Sequence, residues 1–255
     1  MILLLAGTSD ARALAVQVKK EGYDVTATVV TDNAAIELQR AEVKVKIGRL
    51  TQEDMMTFIN EHGVKAIVDA SHPFAEEASK NAIGAAAETS IPYIRYERAS
   101  QAFTYDNMTM VSTYEEAAEV AAEKKGVIML TTGSKTLQVF TEKLLPLSDV
   151  RLVARMLPRL DNMEKCQQLG LPQKNIIAIQ GPFTKEFDQA LYTQYGVTVM
   201  VTKESGKVGS VDEKVEAAKE LGLDIIMIGR PKIEYGTVYS TFEEVVHALV
   251  NQTRS

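Results

Sequence analysis

The chain has 255 residues, a hydrophobic fraction of 45%, and 28 Lys plus Arg against 34 Asp plus Glu, a net charge of -6. That length suits one or two domains with a sizeable core, and the acidic balance argues against a general binder of nucleic-acid phosphates. The lone Cys166 excludes an intrachain disulfide and fits a reducing compartment, and no run approaches the ~20 apolar residues of a membrane span.

Residues 1–98 alternate strands with helices. Ile2–Leu5 is a continuous apolar run, as in a parallel strand covered on both faces. The opening run is too short for the apolar core of a signal peptide, so a cytoplasmic protein is expected. Gly7-Thr8-Ser9-Asp10 is a turn ending in good helix caps, and Ala11, Leu14, Ala15 and Val18 recur at helical spacing. Val25–Val30 and a short Val43–Ile47 read as strands, Glu53–Asn60 as a helix closed by Gly63, and Ala66–Ala70 as a buried strand. An Ala-rich helix over Glu76–Glu88 and a short strand over Pro92–Tyr96 follow.

Residues 97–112 are polar and irregular, a domain boundary, and the pattern then restarts. A helix over Tyr114–Lys124 precedes a strand over Val127–Thr131, and Thr132-Gly133-Ser134-Lys135 turns into a helix through Val139 and Phe140. Strands are expected at Val150–Ala154, Ile176–Ile179, Val197–Val201 and Ile225–Ile228, with a last helix near Phe242–Val250. The fold expected is α/β. It has two Rossmann-like parallel-sheet domains, over 1–98 and 99–255, with a cleft between them; the resemblance drawn below implies that the first binds cofactor and the second substrate.

Ligands of such sheets bind at the carboxyl ends of strands, and the chemistry-bearing residues cluster there. Gly7, Thr8, Ser9 and Arg12 open a helix whose N-terminus can receive a phosphate, although G-x-G-x-x-G is absent and a plain strand-to-helix turn explains the same residues. At the end of the second strand, Asp32 would favour the 2′-OH of NADH, whereas Thr31 with Arg40 would suit the 2′-phosphate of NADPH. His72, between Ser71 and Pro73 at a strand end, is placed to face a ligand, unlike His62 and His247. No second His or Cys lies at ligand spacing, so no metal site is expected.

Thr132-Gly133-Ser134-Lys135 is no Walker A sequence, because Ser134 separates Gly133 from Lys135. It reads either as a capped helix start or as an anion site. Thr202-Lys203-Glu204-Ser205-Gly206 adds a cation and a hydroxyl, and Arg155 and Arg230 are further cations at strand ends. If they converge, they suit a ligand with many carboxylates. No Tyr-x-x-x-Lys and no Gly-x-Ser-x-Gly occurs, which removes the short-chain dehydrogenase site and the nucleophile elbow.

These stretches, with Arg155-Met156-Leu157-Pro158, Gln180-Gly181-Pro182-Phe183 and Lys214 through Arg230-Pro231, run through nearly the whole chain. In order and spacing they resemble the precorrin-6A and cobalt-precorrin-6A reductases of cobalamin (vitamin B12) biosynthesis. Ala6 stands where that family commonly has the first Gly of Gly-Gly-Thr. Asp10 replaces a Glu, and Lys207 replaces the second Gly of Ser-Gly-Gly.

The resemblance implies hydride transfer from NADPH or NADH to a double bond of a tetrapyrrole macrocycle that carries acetate and propionate arms. It implies no nucleic-acid or membrane partner, and neighbouring corrin-pathway enzymes are conceivable partners. On this reading Gly7, Thr8, Ser9 and Arg12 hold the pyrophosphate, and Thr31 and Asp32 lie at the adenosine ribose. Ser71, His72 and Pro73 lie between nicotinamide and macrocycle, with His72 the catalytic candidate. Gly133, Ser134, Lys135, Arg155, Lys203, Ser205 and Arg230 hold carboxylates. Two rivals stand beside it: a nicotinamide enzyme acting on a small acid or sugar, and a non-catalytic nucleotide- or anion-sensing module.

Overall fold

The computed structural model describes residues 1–99, 105–204 and 212–253. The chain forms two compact units, residues 1–99 with 231–255, and residues 100–230.

The first unit begins β1 (Ile2–Leu5), α1 (Ser9–Lys20), β2 (Val25–Val29), α2 (Asp32–Arg40), β3 (Lys44–Ile47), α3 (Gln52–His62), β4 (Ala66–Asp69), α4 (Glu76–Glu88) and β5 (Tyr93–Tyr96). The second contains β6 (Met108–Val111), α5 (Tyr114–Lys124), β7 (Gly126–Leu130), α6 (Leu137–Leu144), β8 (Val150–Met156) and α7 (Leu160–Gln168). After a 3-10 turn at Gln173–Asn175 it continues with β9 (Ile176–Ala178), α8 (Lys185–Tyr195), β10 (Val199–Lys203), α9 (Glu213–Glu220) and β11 (Asp224–Ile228). The chain closes with β12 (Val238–Tyr239) and α10 (Phe242–Thr253).

Both sheets have six strands, all parallel. The first runs β12-β5-β4-β1-β2-β3 and the second β6-β11-β10-β7-β8-β9. Alternation along β1 explains its unbroken apolar run. Ile2 and Leu4 enter a core with Leu14, Val18 and Leu249, while Leu3 and Leu5 enter another with Phe58, Ile59 and Ile67. Helix starts follow their caps. Thr51 and Asp54 form a reciprocal capping box on α3, and Gly63 ends that helix in the left-handed region at φ 62.

Three features differ from the sequence reading. Asp32 opens a nine-residue helix in a stretch where the sequence reading has no element. The irregular stretch over 97–112 contains strand β6. Helix α6, over Leu137–Leu144, follows the Thr132–Lys135 turn as expected. The third difference concerns the end of the chain, expected in the second domain. It belongs to the first unit, because β12 pairs with β5, Phe242 stacks on Tyr96 at 5.3 Å, and Val245 and Leu249 complete the core around Ile2.

Candidate active site

Each sheet has one point where the strand order reverses, and such switch points open a crevice at the strands' carboxyl ends. In the first sheet this lies between β1 and β4, in the second between β7 and β10. The loops at those ends begin at Ala6 and Ala70 in the first unit, and at Thr131 and Glu204 in the second. The Gly7–Arg12, Ser71–Pro73 and Thr132–Lys135 stretches therefore follow switch-point strands, whereas Thr31 and Asp32 follow β2, Arg155 lies on β8 and Arg230 follows β11.

In the first unit, Thr8 caps α1, its hydroxyl accepting from the Ala11 N–H at 3.2 Å. Gly7 and Ser9 are exposed at this helix start, and a Cβ added at Gly7 would meet nothing within 4 Å. The bare backbone thus leaves room for an anion against the positive end of the helix. Asp10 in the first turn is neutralised by Arg98, which follows β5. Arg12 donates to Glu37 of α2 at 2.5 Å. Thr31 caps α2, and Asp32 is exposed at its first position. Arg40 is at the opposite end of α2, about 12 Å along the axis at 1.5 Å per residue.

Beneath Ser71, His72 and Pro73 lies a buried ionic network that sequence reading missed. Asp69 and Arg95 are register partners on β4 and β5, both without solvent exposure, and pair at 3.0 Å. The Asp69 carboxylate also accepts from the Ser71 N–H at 3.0 Å, the Ser71 hydroxyl at 2.6 Å and the Tyr93 hydroxyl at 2.6 Å. Arg95 also donates to Glu97 at 2.8 Å and lies 4.5 Å from the Tyr235 ring centre. Burial alone would raise the Asp69 carboxyl. Arg95, then the Ser71 and Tyr93 hydrogen bonds, outweigh it and hold the group below its ordinary value. Burial, then the Asp69 charge, pushes the Tyr93 phenol up. A sequence signal existed: an Arg inside an otherwise buried strand needs a partner of opposite charge.

Ser71 and Pro73 are buried and His72 is half-buried. The Phe74 N–H donates to His72 Nδ1 at 3.2 Å, which leaves the proton of the neutral ring on Nε2.

In the second unit, Gly133 takes a left-handed φ of 78, which bends the chain away from β7. The Ser134 hydroxyl donates to Asn162 at 2.5 Å, and Lys135 is exposed. Lys203 ends β10 half-buried. Burial, then the charges of Lys214 and Lys135, push its ammonium down to about 8. Lys214 is a member of this cationic group that sequence reading did not assign. Arg230 pairs with Glu204 at 3.6 Å. Ser205 lies outside the described residues. Arg155 is turned inward: it pairs with buried Asp188, and its guanidinium carbon lies 4.4 Å from the Phe183 ring centre. Its charge is spent inside the unit.

Among the described residues, no helix is long and apolar enough to cross a membrane, and no group of three or more His, Cys, Asp or Glu could hold a metal ion.

Residues 1–250 match the family model described as Precorrin-6x reductase CbiJ/CobK. The chain belongs to this reductase family. It is 97% identical over 255 residues to the cobalt-precorrin-6A reductase of Priestia megaterium, covering all of both chains. It is 33% identical over 259 residues to that of Methanothermobacter thermautotrophicus, covering 97% of this chain and 84% of the relative. A solved structure described as CobK precorrin-6A reductase aligns with a TM-score of 0.79 at 25% identity, over 98% of this chain and 96% of that one. The resemblance read from the motifs and the two-sheet α/β fold both hold. The chain is an oxidoreductase of the cobalamin pathway, and the non-catalytic sensing module is set aside.

Proposed function

We propose that the chain reduces one carbon–carbon double bond of cobalt-precorrin-6A, with NADH as reductant. The observation that supports this reading is that the Gly7–Arg12, Ser71–Pro73 and Thr132–Lys135 stretches follow the strands flanking the two switch points. Reduction adds a hydride to one carbon and a proton to its neighbour, and the nicotinamide supplies the hydride when bound. The protein's part is to hold, align and exclude water.

Gly7, Thr8 and Ser9 receive the pyrophosphate at the start of α1, flanked by Arg12. Thr31 and Asp32 stand at the adenosine ribose. An exposed carboxylate there suits two free ribose hydroxyls and repels a 2′-phosphate, and Arg40 is at the far end of its helix. Ser71 and Pro73 carry His72, which we assign to orienting nicotinamide or ring. Solvent can supply the proton. Gly133, Ser134, Lys135, Lys203, Ser205 and Arg230, joined by Lys214, hold the carboxylate arms. We assign Arg155 instead to holding Phe183. A cytoplasmic location and corrin-pathway neighbours belong to the same reading.

Titration with NADH and NADPH, followed by nicotinamide fluorescence, tests the cofactor assignment. The chain has no Trp, so protein background is low. Saturable binding with NADH the tighter is expected, and His72→Ala should weaken it or slow turnover. Tighter NADPH binding would overturn the choice and point to Arg49, exposed beyond the neighbouring strand β3, as the cation for the extra phosphate. No binding of either would remove the cofactor site from the first unit.

A further inference from the structure

The turn that follows β7 is held by a neighbouring helix. The Ser134 hydroxyl meets the Asn162 side chain at 2.5 Å, and the Lys165 ammonium donates to the Lys135 carbonyl at 3.0 Å. Asn162 and Lys165 both lie on α7, at i and i+3, and so share one face of that helix. A single helix face therefore grips two consecutive residues of the turn.

Asn162 is itself well fixed. Its Nδ2 donates to the Leu157 carbonyl at 3.0 Å, and its backbone N–H donates to the Asp161 carboxylate at 3.0 Å. A carbonyl only accepts, so Nδ2 must face Leu157, and Oδ1 is left to face Ser134. An oxygen there requires the hydroxyl to donate, and a serine hydroxyl has a single proton. That proton is committed to Asn162. Ser134 thus serves a carboxylate arm through its place in the turn rather than through its hydroxyl. Lys135, next in the chain and exposed, is the charged group of this turn. Its charge acts on Lys203 at the end of β10, and β10 lies beside β7, so turn and lysine stand at the same crevice.

We propose that Asn162 and Lys165 are positioning residues for substrate binding, holding the Ser134–Lys135 turn on α7 so that Lys135 meets a carboxylate arm of the macrocycle. This deepens the reading that the second unit binds the substrate, and rests on it. A lysine carried on a turn already fixed loses less freedom on binding than one carried on a loose turn. The two residues therefore act on affinity and not on the reacting carbons.

The test uses the full chain with Asn162→Ala, Lys165→Ala, Lys135→Ala, and Asn162→Ala combined with Lys135→Ala. KM and kcat for cobalt-precorrin-6A, the NADH Kd and the Tm are read. Asn162 and Lys165 are only half-buried, so both variants are expected to fold. Asn162→Ala should raise KM about 3- to 10-fold, the size of an ordinary hydrogen bond, with kcat and NADH Kd within about two-fold of wild type. Lys165→Ala should do the same, and Lys165→Arg, which keeps a cationic donor, should bring KM back toward wild type. In the Lys135→Ala background, Asn162→Ala should raise KM by less than about two-fold, because the group it places is gone.

A KM that rises in Lys135→Ala but not in Asn162→Ala or Lys165→Ala would overturn the positioning role alone. Equal increases from Asn162→Ala with and without Lys135 would do so too, since Asn162 would then act by another route. A joint loss of kcat, NADH affinity and Tm would make the tether merely structural and sink the proposal. Lys135→Ala with a wild-type KM, or wild-type protein that does not reduce cobalt-precorrin-6A at all, would instead overturn the reading on which the proposal rests.

Discussion

Lys203 is a lysine poised to lose its charge within the range of ordinary buffers. Burial, with Lys214 and Lys135 nearby, brings its ammonium down to about 8, against about 10.4 for a free lysine. Folding favours its neutral form, so its contribution to stability grows as pH rises through 8 toward the unfolded value. Substrate binding runs the other way, because the ammonium is what attracts a carboxylate. With substrate limiting, kcat/KM should therefore fall as pH rises through about 8, since this ratio reports the free enzyme. Lys203→Arg, whose guanidinium stays charged, should move that limb beyond pH 10. A profile at constant ionic strength that stays flat from pH 7 to about 9.5 in the wild type would remove Lys203 from substrate binding. The residue itself was legible in sequence, as a cation at a strand end. Of its neighbours, Lys135 was legible in the same way, but Lys214 was not, because it acts from α9, eleven positions along the chain.

Strands β4 and β5 form the element on which the first unit's crevice depends. Their register sets Asp69 opposite Arg95, and the pair ties Ser71 to the sheet on one side and Glu97 to it on the other. A buried pair is weak evidence for net stability, but breaking it strands a charge. Arg95→Met should cost about 3–5 kcal/mol in urea unfolding, because Asp69 would stay buried without its cation. In the native protein the Asp69 carboxyl sits below its usual value. Its stabilisation is thus present above about pH 4, the unfolded pKa, and is lost as pH falls through the folded one. In Arg95→Met that loss should begin at higher pH. Unfolding curves that coincide with wild type from pH 4 to 8 would contradict the account. Among elements, the buried strands and helix α4 were plain from apolar runs and Ala spacing. Helix α2 was hidden because Thr31-Asp32-Asn33 serves equally as a cap and as a ligand loop. Strand β6 was hidden because four residues, Met108–Val111, stand between polar stretches.

At the scale of the molecule, the chain builds two parallel sheets and returns its last segment to the first. That return was illegible in sequence, since β12 has two residues and nothing local says which sheet it joins. The restart of the β-α pattern after residue 98 was legible, because hydrophobic periodicity is a local signal. Likewise the ends of strands could be read along the chain, but which ends share a crevice depends on strand order, which is set by long-range pairing. The central claim is that the motifs at the two switch points serve one reduction, with NADH as the hydride source. The measurement that tests it most directly is anaerobic turnover of cobalt-precorrin-6A with NADH deuterated at the transferred position, read by mass spectrometry of the macrocycle. One NADH consumed per macrocycle is expected, with two hydrogens added to the ring system and one of them the deuterium. A macrocycle that gains no hydrogen, or gains two without the label, would contradict it.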